Sequence, residues 1–257
     1  MIDTILNCLG KSAYGNIGTS VMEKEIPYIR IGTGATEVFY NASFHANEWI
    51  TTPLLLKFAE EYASAYAQNG IINGEIASSL YDTYSLYLVP MVNPDGVDLV
   101  NGVLGNARYE QQAKIIAAQY PDIPYPDGWK ANIDGVDLNL QFPAGWEQAR
   151  TIKFSQGYTT PAPRDYVGEA PLTAIESINV YEFTRMHDFR LIIAYHTQGE
   201  VIYWKYMDYE PDKSRQIAQY FGNVSGYAVE ETPTESGYAG YKDWFIQEYD
   251  RPGYTIE

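Results

Sequence analysis

The feature that most constrains the fold is the alternation of short apolar runs, rich in β-branched and aromatic residues, with longer segments of helical pattern. Such alternation is typical of an α/β protein in which helices cover a sheet. The predicted strands span 26–32, 37–44, 84–91, 190–196, 200–204 and 252–256, and the predicted helices span 49–67, 174–187, 212–223 and 239–248.

The segments between these elements carry turn and cap signals. Residues 101–170 are rich in Gly, Pro, Asn and Asp, so we expect long surface connections there. The run "NPDG" at 93–96 predicts a turn directly after an apolar strand. Thr173 stands three residues before Glu176, which is the spacing of a capping box at a helix start.

Length, charge and cysteine content narrow the class of protein. The 257 residues, of which 46% are apolar, suffice for one large domain or at most two small ones. The net charge of −16 argues against nucleic acid or an anionic membrane surface as a partner. The single Cys8 excludes an internal disulfide. Because no signal peptide and no apolar run of about 18 residues is visible, we expect a cytoplasmic protein, with cell-wall association as the alternative.

Three residues of metal-binding type follow predicted strands. His45 ends one apolar strand and precedes Glu48 by three residues, and His196 ends another strand. Ligands of open α/β sheets bind at the carboxyl ends of strands, and two histidines with one glutamate leave one position open for water on a catalytic zinc ion. On these residues alone, a helix-surface pair and a hydrogen-bonded core histidine remain the alternative. We interpret His187 as structural or exposed.

Five motifs then occur in a recognisable order, namely "NASFHANEWITTPLLL", "YLVPMVNPDGV", "GVDLN", "IIAYHTQG" and "GYKDWF" followed by "RPGYTIE". They resemble the zinc metallocarboxypeptidase family over nearly the whole chain. The runs "WKANIDGVDLNLQFPAGWE", "PAPRDY" and "HTQGEVIYW" are similar to its bacterial γ-D-glutamyl-diaminopimelate peptidases, which cut the peptide stems of peptidoglycan. The resemblance implies a three-layer α/β/α fold with a central mixed, mostly parallel twisted sheet, and one zinc ion per chain.

The resemblance also implies catalytic roles. It assigns the zinc ligands to His45, Glu48 and His196, and it makes Glu257 the general base that activates water at the zinc ion. Asp137 in "GVDLN" matches the aspartate that accepts a hydrogen bond from the first zinc histidine. Lys130 in "WKAN" falls near an arginine that polarises the scissile carbonyl; the alternative for Lys130 is a solvated surface lysine.

Substrate-binding residues follow from the same motifs. Asn139 matches the asparagine that holds the substrate's terminal carboxylate, but Leu140 replaces the arginine that completes this clamp in exopeptidases. Leucine has no donor, which favours a γ-linked or branched peptide over an ordinary C-terminus. Lys242 falls at the base of the specificity pocket, where it would select an acidic group or else extend to solvent. Tyr238 or Tyr241 would supply the mobile tyrosine of the family if the loop is shifted.

We therefore expect a single zinc peptidase domain over residues 1–257, short at its C-terminus and without the usual final helix, that acts on muropeptides. The expected consequences are weakened activity and an uncovered surface through which the chain could form oligomers. Two alternatives stay open: a carboxypeptidase or deacylase acting on another small amide, and a non-catalytic member that binds metal or peptide.

Overall fold

A mixed β-sheet runs through the middle of the protein and positions everything that follows. The computed structural model describes residues 1–257, apart from the side chain of Ser12. The strands are β1 (Tyr14–Thr19), β2 (Glu25–Ile31), β3 (Thr36–Ala42), β4 (Ile71–Ile72), β5 (Glu75–Ile76), β6 (Tyr84–Val89), β7 (Phe189–Tyr195), β8 (Val201–Tyr203), β9 (Ala228–Glu230) and β10 (Gly253–Ile256). The helices are α1 (Ile2–Leu9), α2 (Thr51–Ala67), α3 (Ala77–Thr83), α4 (Pro94–Val100), α5 (Ala107–Ala117), α6 (Trp146–Ser155), α7 (Ile175–Arg185), α8 (Ser214–Ser225) and α9 (Tyr241–Tyr249).

The order of strands across the main sheet is β1-β2-β6-β3-β7-β10-β8-β9, while β4 and β5 form a separate hairpin. Strands β6, β3, β7 and β10 pair in parallel, and so do β8 and β9. The pairs β1–β2, β2–β6 and β10–β8 are antiparallel. The sheet is therefore mixed and mostly parallel, as the resemblance implied.

Helices cover both faces of the sheet because the central strands are apolar on both sides. Along β3, Phe39 packs into a cluster with α7 and α9, whereas Ala42 packs into a cluster with α1 and α2 on the other face. On β7, Ile192 and Ile193 divide between the two faces in the same way, Ile193 packing against α8. This alternation gives the three-layer α/β/α arrangement. Burying each of the large side chains of Phe39, Ile192 and Ile193 stabilises the fold by about 1.5–3 kcal/mol.

The sequence predictions for regular elements are confirmed within two residues at each end for all ten predicted strands and helices. The prediction of long surface connections over 101–170 is wrong. That stretch contains α5 and α6, and Trp129 and Phe142 are completely buried. Its Gly, Pro and Asn residues shape turns that fold back onto the sheet, so composition alone did not reveal the burial.

Two local predictions also fail. The "NPDG" run is a helix start and not a turn: Pro94 is the first residue of α4, and the side chain of Asn93 accepts a hydrogen bond from the Gly96 N–H. Helix α7 begins after Ala174 without a side-chain cap, so the predicted capping box does not form. Thr173 instead donates its hydroxyl to Gln141 Oε1.

None of the helices in the part of the chain described above is both long enough and apolar enough to cross a membrane.

Glu176 on α7 is a completely buried carboxylate. It accepts hydrogen bonds from the Val21 N–H at 3.2 Å and from Asn132 Nδ2 at 3.0 Å. Burial, opposed by these hydrogen bonds and assisted by the nearby Asp95, raises the pKa of Glu176 to about 7. Asn132 belongs to the loop that carries Lys130 and Asp137. Its hydrogen bond to Glu176 therefore fastens that loop to α7.

The pH dependence of stability should reflect Glu176. In the unfolded chain this carboxyl ionises near pH 4.5, and in the folded protein near pH 7. Its contribution to the free energy of unfolding is therefore fully present below about pH 4.5 and declines by about 3 kcal/mol as the pH rises through 7. We expect Glu176→Gln to remove this decline, measured by urea unfolding of parent and variant between pH 4.5 and 8.

The matched control is Glu182→Gln, because Glu182 lies on the same helix with its side chain 53% exposed. The difference in unfolding free energy between this control and the parent should stay flat with pH. A flat difference for Glu176→Gln as well would show that Glu176 ionises normally in the fold.

Candidate metal centre

Three neighbouring parallel strands end side by side, and each is followed by a residue able to take part in metal-dependent chemistry. Tyr195 at the end of β7 pairs with Ala42 of β3 on one side and with Ile256 of β10 on the other. His196 therefore follows the central strand. His45 and Glu257 follow the strands that flank it. The His196 N–H donates to the Ile256 carbonyl at 2.7 Å, which ties the end of β10 to the histidine.

The loop after β3 is held from several directions. Ser43 adopts a left-handed backbone, with φ at 51°, an uncommon conformation for this residue type. A short 3₁₀ turn at Ala46–Glu48 then carries the side chain of Glu48 back towards His45. The N–H of Ala46 donates to the Lys130 carbonyl at 3.0 Å, and so this turn is fastened to the loop that carries Lys130.

Asn93 and Gly96 explain what the "NPDG" run does here. The amide of Asn93 donates to the carbonyls of Phe44 at 3.2 Å and Ala131 at 3.0 Å, which bridges the His45 loop to the Lys130 loop. Gly96 lies so close to this junction that an added Cβ would be 2.8 Å from the Ala46 side chain. Helix α4 therefore packs against the loop that carries His45 and stabilises it.

The ligand atoms of the predicted triad converge. Nδ1 of His45 lies 3.0 Å from Glu48 Oε1, Nδ1 of His196 lies 2.8 Å from Glu48 Oε2, and the two Nδ1 atoms are 3.2 Å apart. Ligand atoms on a tetrahedral zinc ion, bound at about 2.0–2.2 Å, stand about 3.3 Å from one another. Two imidazole nitrogens and a carboxylate at these separations fit zinc in donor type as well as in spacing.

The charges of the triad also fit a cation. Glu48 is completely buried. Burial raises the pKa of Glu48, but the two histidines outweigh this effect and hold it well below its usual value. Burial lowers the pKa of His45, yet the carboxylates of Glu48 and Asp137 raise it to about 9. The centre thus favours positive charge at the point where the ligand atoms meet.

Two further predicted residues contact the triad. Asp137 Oδ1 lies 3.1 Å from His45 Nε2, so it orients the ring and leaves Nδ1 to the metal. Burial raises the pKa of Asp137, but His45 lowers it well below its ordinary value. Lys130 donates from Nζ to Glu48 Oε1 at 2.9 Å, which places its ammonium group beside the metal position and not on a solvated surface.

The metal centre opens into a cavity lined by three predicted substrate residues, Asn139, Leu140 and Lys242, and by the predicted general base Glu257. The backbone N–H of Glu257 donates to the Val201 carbonyl at 2.9 Å. Gly199 makes room for the Glu257 side chain, because a Cβ at Gly199 would lie 2.8 Å from the Cβ of Glu257. Glu257 thus lines this cavity together with the predicted ligand His45, and it lines a second cavity together with the predicted ligand His196.

Lys242 faces this cavity, but its ammonium group is already engaged. Nζ donates to the Lys205 carbonyl at 2.7 Å and to Thr232 Oγ1 at 3.1 Å, and it lies 2.7 Å from Asp243 Oδ1. Its side chain is only 4% exposed. To bind a substrate carboxylate, Lys242 would have to exchange one of these contacts.

The two tyrosines differ in their placement. Tyr238 lies in a neighbouring pocket beside Lys205 and Thr232. Tyr241 is completely buried among aromatic rings, with its hydroxyl 2.9 Å from Thr184 Oγ1. The prediction that Tyr241 contacts substrate is therefore wrong in this structure, because its position in the first turn of α9 directs it into the core.

Sequence reasoning gave no role to several residues that line the cavity: Lys153, Arg164, Asp165, Tyr203, Thr232, Ser236 and Thr255. The signal for two of them was present, since Arg164 and Asp165 belong to the "PAPRDY" run. Lys153 gave no signal, because it stands on a helix that was not predicted.

Comparison with known proteins places these observations in a family. A family model described as zinc carboxypeptidase matches residues 10–255. The chain is 48% identical to gamma-D-glutamyl-L-diamino acid endopeptidase 1 of Lysinibacillus sphaericus, over 94% of this chain and 59% of that protein. It is 42% identical to the uncharacterized protein YqgT of Bacillus subtilis (strain 168), over 94% of this chain and 63% of that protein. The chain thus spans about 60% of the length of these two relatives.

The fold is likewise that of solved carboxypeptidase-like structures. Bovine thrombin-activatable fibrinolysis inhibitor, solved in complex with tick carboxypeptidase inhibitor, superposes with a TM-score of 0.70 at 17% identity. The match covers 100% of this chain and 82% of that one. This likeness supports the fold assigned above.

Zinc retention should depend on His196. We expect His196→Ala to bind zinc more than 100-fold more weakly than the parent, because a protein ligand contributes more than the outer contacts that are worth about 10- to 100-fold. Zinc content after dialysis, measured by mass spectrometry, gives the comparison. His187→Gln, which changes a histidine far from the triad, should keep its zinc. A full zinc complement in His196→Ala would refute the assignment of this ligand.

Asp137 should tune the same affinity without being a ligand. Asp137→Asn should weaken zinc binding about 10- to 100-fold, because the amide no longer offers a charged acceptor to His45 Nε2. Competition with a fluorescent chelator measures the change. Asp134→Asn is the matched control, since Asp134 lies in the same loop and contacts Gln112. Equal affinities for the two variants would contradict the role given to Asp137.

Proposed function

This chain belongs to the zinc carboxypeptidase family, and from that premise we propose that it is a zinc-dependent peptidase that hydrolyses γ-D-glutamyl–diamino acid bonds in peptidoglycan stem peptides. The observation that carries the proposal is the convergence of His45, Glu48 and His196 on one point, with Glu257 lining one cavity together with His45 and a second together with His196. The 48% identity to an endopeptidase named for this bond supports the substrate class.

Each residue around the metal position has its own role in the proposed reaction. When bound, zinc supplies a Lewis acid that polarises the scissile carbonyl and lowers the pKa of water. Glu257 accepts the proton of the attacking water and returns it to the leaving amine. Lys130 brings its ammonium group to the carbonyl oxygen while negative charge develops there. Asp137 holds His45 in the tautomer that presents Nδ1 to the metal.

The cavity wall favours a γ-linked peptide over an ordinary C-terminal residue. Leu140 lines the cavity and packs against Trp146 and Val167, so an apolar side chain stands where the exopeptidase pattern has an arginine. Asn139 Oδ1 accepts from the Tyr241 N–H at 3.0 Å, so Asn139 offers a carboxylate only its neutral Nδ2 group. A terminal α-carboxylate would therefore meet a weak clamp. This favours endopeptidase specificity over the alternative of a simple carboxypeptidase.

Hydrolysis of defined muropeptides tests the proposal. The zinc-loaded protein is incubated with L-Ala-γ-D-Glu-diaminopimelate peptides, and the products are identified by mass spectrometry. The proposal predicts release of L-Ala-D-Glu and a free diamino acid moiety. Removal of only the C-terminal residue from longer stems would instead support the carboxypeptidase alternative. Absence of any cleavage by a zinc-replete protein would support a non-catalytic binding role.

Glu257 should carry the proton transfer. We expect Glu257→Gln to lower kcat on the muropeptide about 100- to 10,000-fold while zinc content stays unchanged, because the amide cannot accept the proton of water. Glu248→Gln, an exposed position on α9, should behave as the parent. If Glu257→Gln and Glu248→Gln cleave at the same rate, Glu257 is not the general base.

A further inference from the structure

The positively charged side chains that line the cavity differ in how fully nearby carboxylates neutralise them. Lys130 is paired with Glu48, and Lys242 is paired with Asp243. Each of these lysines has one carboxylate within 3 Å, so neither pair offers net positive charge to a ligand. An anionic group is therefore expected to bind near the other cations that line the cavity.

One cluster on the cavity wall is not neutral, because it contains two cations and one anion. Its members are Lys153, Arg164 and Asp165. Asp165 Oδ1 lies 2.6 Å from Lys153 Nζ, and Asp165 Oδ2 lies 2.7 Å from Arg164 Nε. The cluster carries one excess positive charge on a chain whose formal net charge is −16. Its position on the cavity wall makes this excess charge available to a bound molecule.

Within the cluster, Arg164 has the most exposed donors. Its side chain is 39% exposed, against 10% for Lys153 and 4% for Lys242. Among the described residues, its one hydrogen bond runs from Nε to Asp165. A guanidinium group has five N–H donors, and the two terminal nitrogens form a fork that matches a carboxylate. Asp165 therefore holds the arginine in place and leaves its terminal nitrogens for a ligand.

The cluster also stands at a junction next to the metal centre. Lys153, Arg164 and Asp165 line both the metal cavity and a second cavity bounded by Ile123, Pro124 and Tyr158. The backbone N–H of Asp165 donates to Asp137 Oδ2 at 3.1 Å, and Asp137 contacts His45. A molecule at the metal centre can therefore extend past Arg164 into the second cavity.

We propose that Arg164 is a specificity residue that binds a free carboxylate of the peptide substrate at the junction of these two cavities. The identity of the substrate rests on the proposed function. A γ-linked glutamyl residue keeps its α-carboxylate free, and diaminopimelate adds a carboxylate on its side chain. Both groups share the chemistry that the guanidinium fork recognises. Leu140 provides no competing cation for either group.

Binding to three peptides tests this assignment. The probes are L-Ala-γ-D-Glu-diaminopimelate, its carboxamide at the glutamyl α-carboxyl, and its carboxamide at the diaminopimelate side chain. Zinc-loaded Glu257→Gln protein, which should not cleave them, is titrated with each peptide by calorimetry. We expect one carboxamide to bind about 10- to 150-fold more weakly than the free acid, and this identifies the carboxylate that Arg164 holds.

The second variant, Arg164→Gln in the same background, should bind the free acid more weakly by that same factor and should no longer distinguish it from the carboxamide. Arg190→Gln is the matched control, because Arg190 is an arginine on β7 near an aspartate and outside the cavity. It should keep the full preference. A lower affinity of Arg164→Gln for all three peptides alike would show a structural role and overturn the inference.

Two further outcomes also overturn it. The first is a preference that survives in Arg164→Gln but is lost in Lys242→Met. The second is a parent protein that binds the acid and both carboxamides equally. Muropeptide cleavage by the unaltered zinc enzyme is followed in parallel. If cleavage occurs while the binding preference fails, the proposed function stands and only the role of Arg164 falls. If neither cleavage nor binding occurs, both fall.

Discussion

The parallel pairing of β3, β7 and β10 is the constraint on which the site depends. Parallel strands end at the same edge of a sheet, so residues that follow three paired strands must meet there. His45, His196 and Glu257 are those residues, and the hydrogen bond from the His196 N–H to the Ile256 carbonyl ties His196 to the residue that precedes Glu257. A shift of β10 by one residue would turn every side chain of that strand to the opposite face.

Charge pairing then limits how the loops around this edge can fold. Glu48 is completely buried, and a buried carboxylate without partners would cost several kcal/mol. His45, His196 and Lys130 surround it, which couples the loop after β3 to the loop at Lys130. Among the lysine and arginine side chains that line the cavity, Arg164 is the most exposed. The proposed binding of a substrate carboxylate at Arg164 rests on this difference in exposure.

The sequence allowed the sheet, the triad and the position of Glu257 to be predicted, because short apolar runs rich in β-branched and aromatic residues mark strands and the motifs place His45, His196 and Glu257 at their ends. It did not reveal the buried loops of 101–170, since their burial depends on contacts far along the chain, such as that of Asn132 with Glu176. Lys242 and Tyr241 show the same limit. Position in a motif placed them near the cavity, but only packing shows that one is already paired and the other lies in the core.

The central claim is that one zinc ion binds where the ends of β3 and β7 meet, within reach of Glu257. A crystal structure of the zinc-loaded protein, with data collected on both sides of the zinc absorption edge, tests this most directly. The account predicts an anomalous peak at about 2.0–2.2 Å from Nδ1 of His45 and His196 and from the carboxylate of Glu48, with the Glu257 side chain in the same cavity. A peak at other side chains, or Glu257 directed away from that cavity, would contradict it.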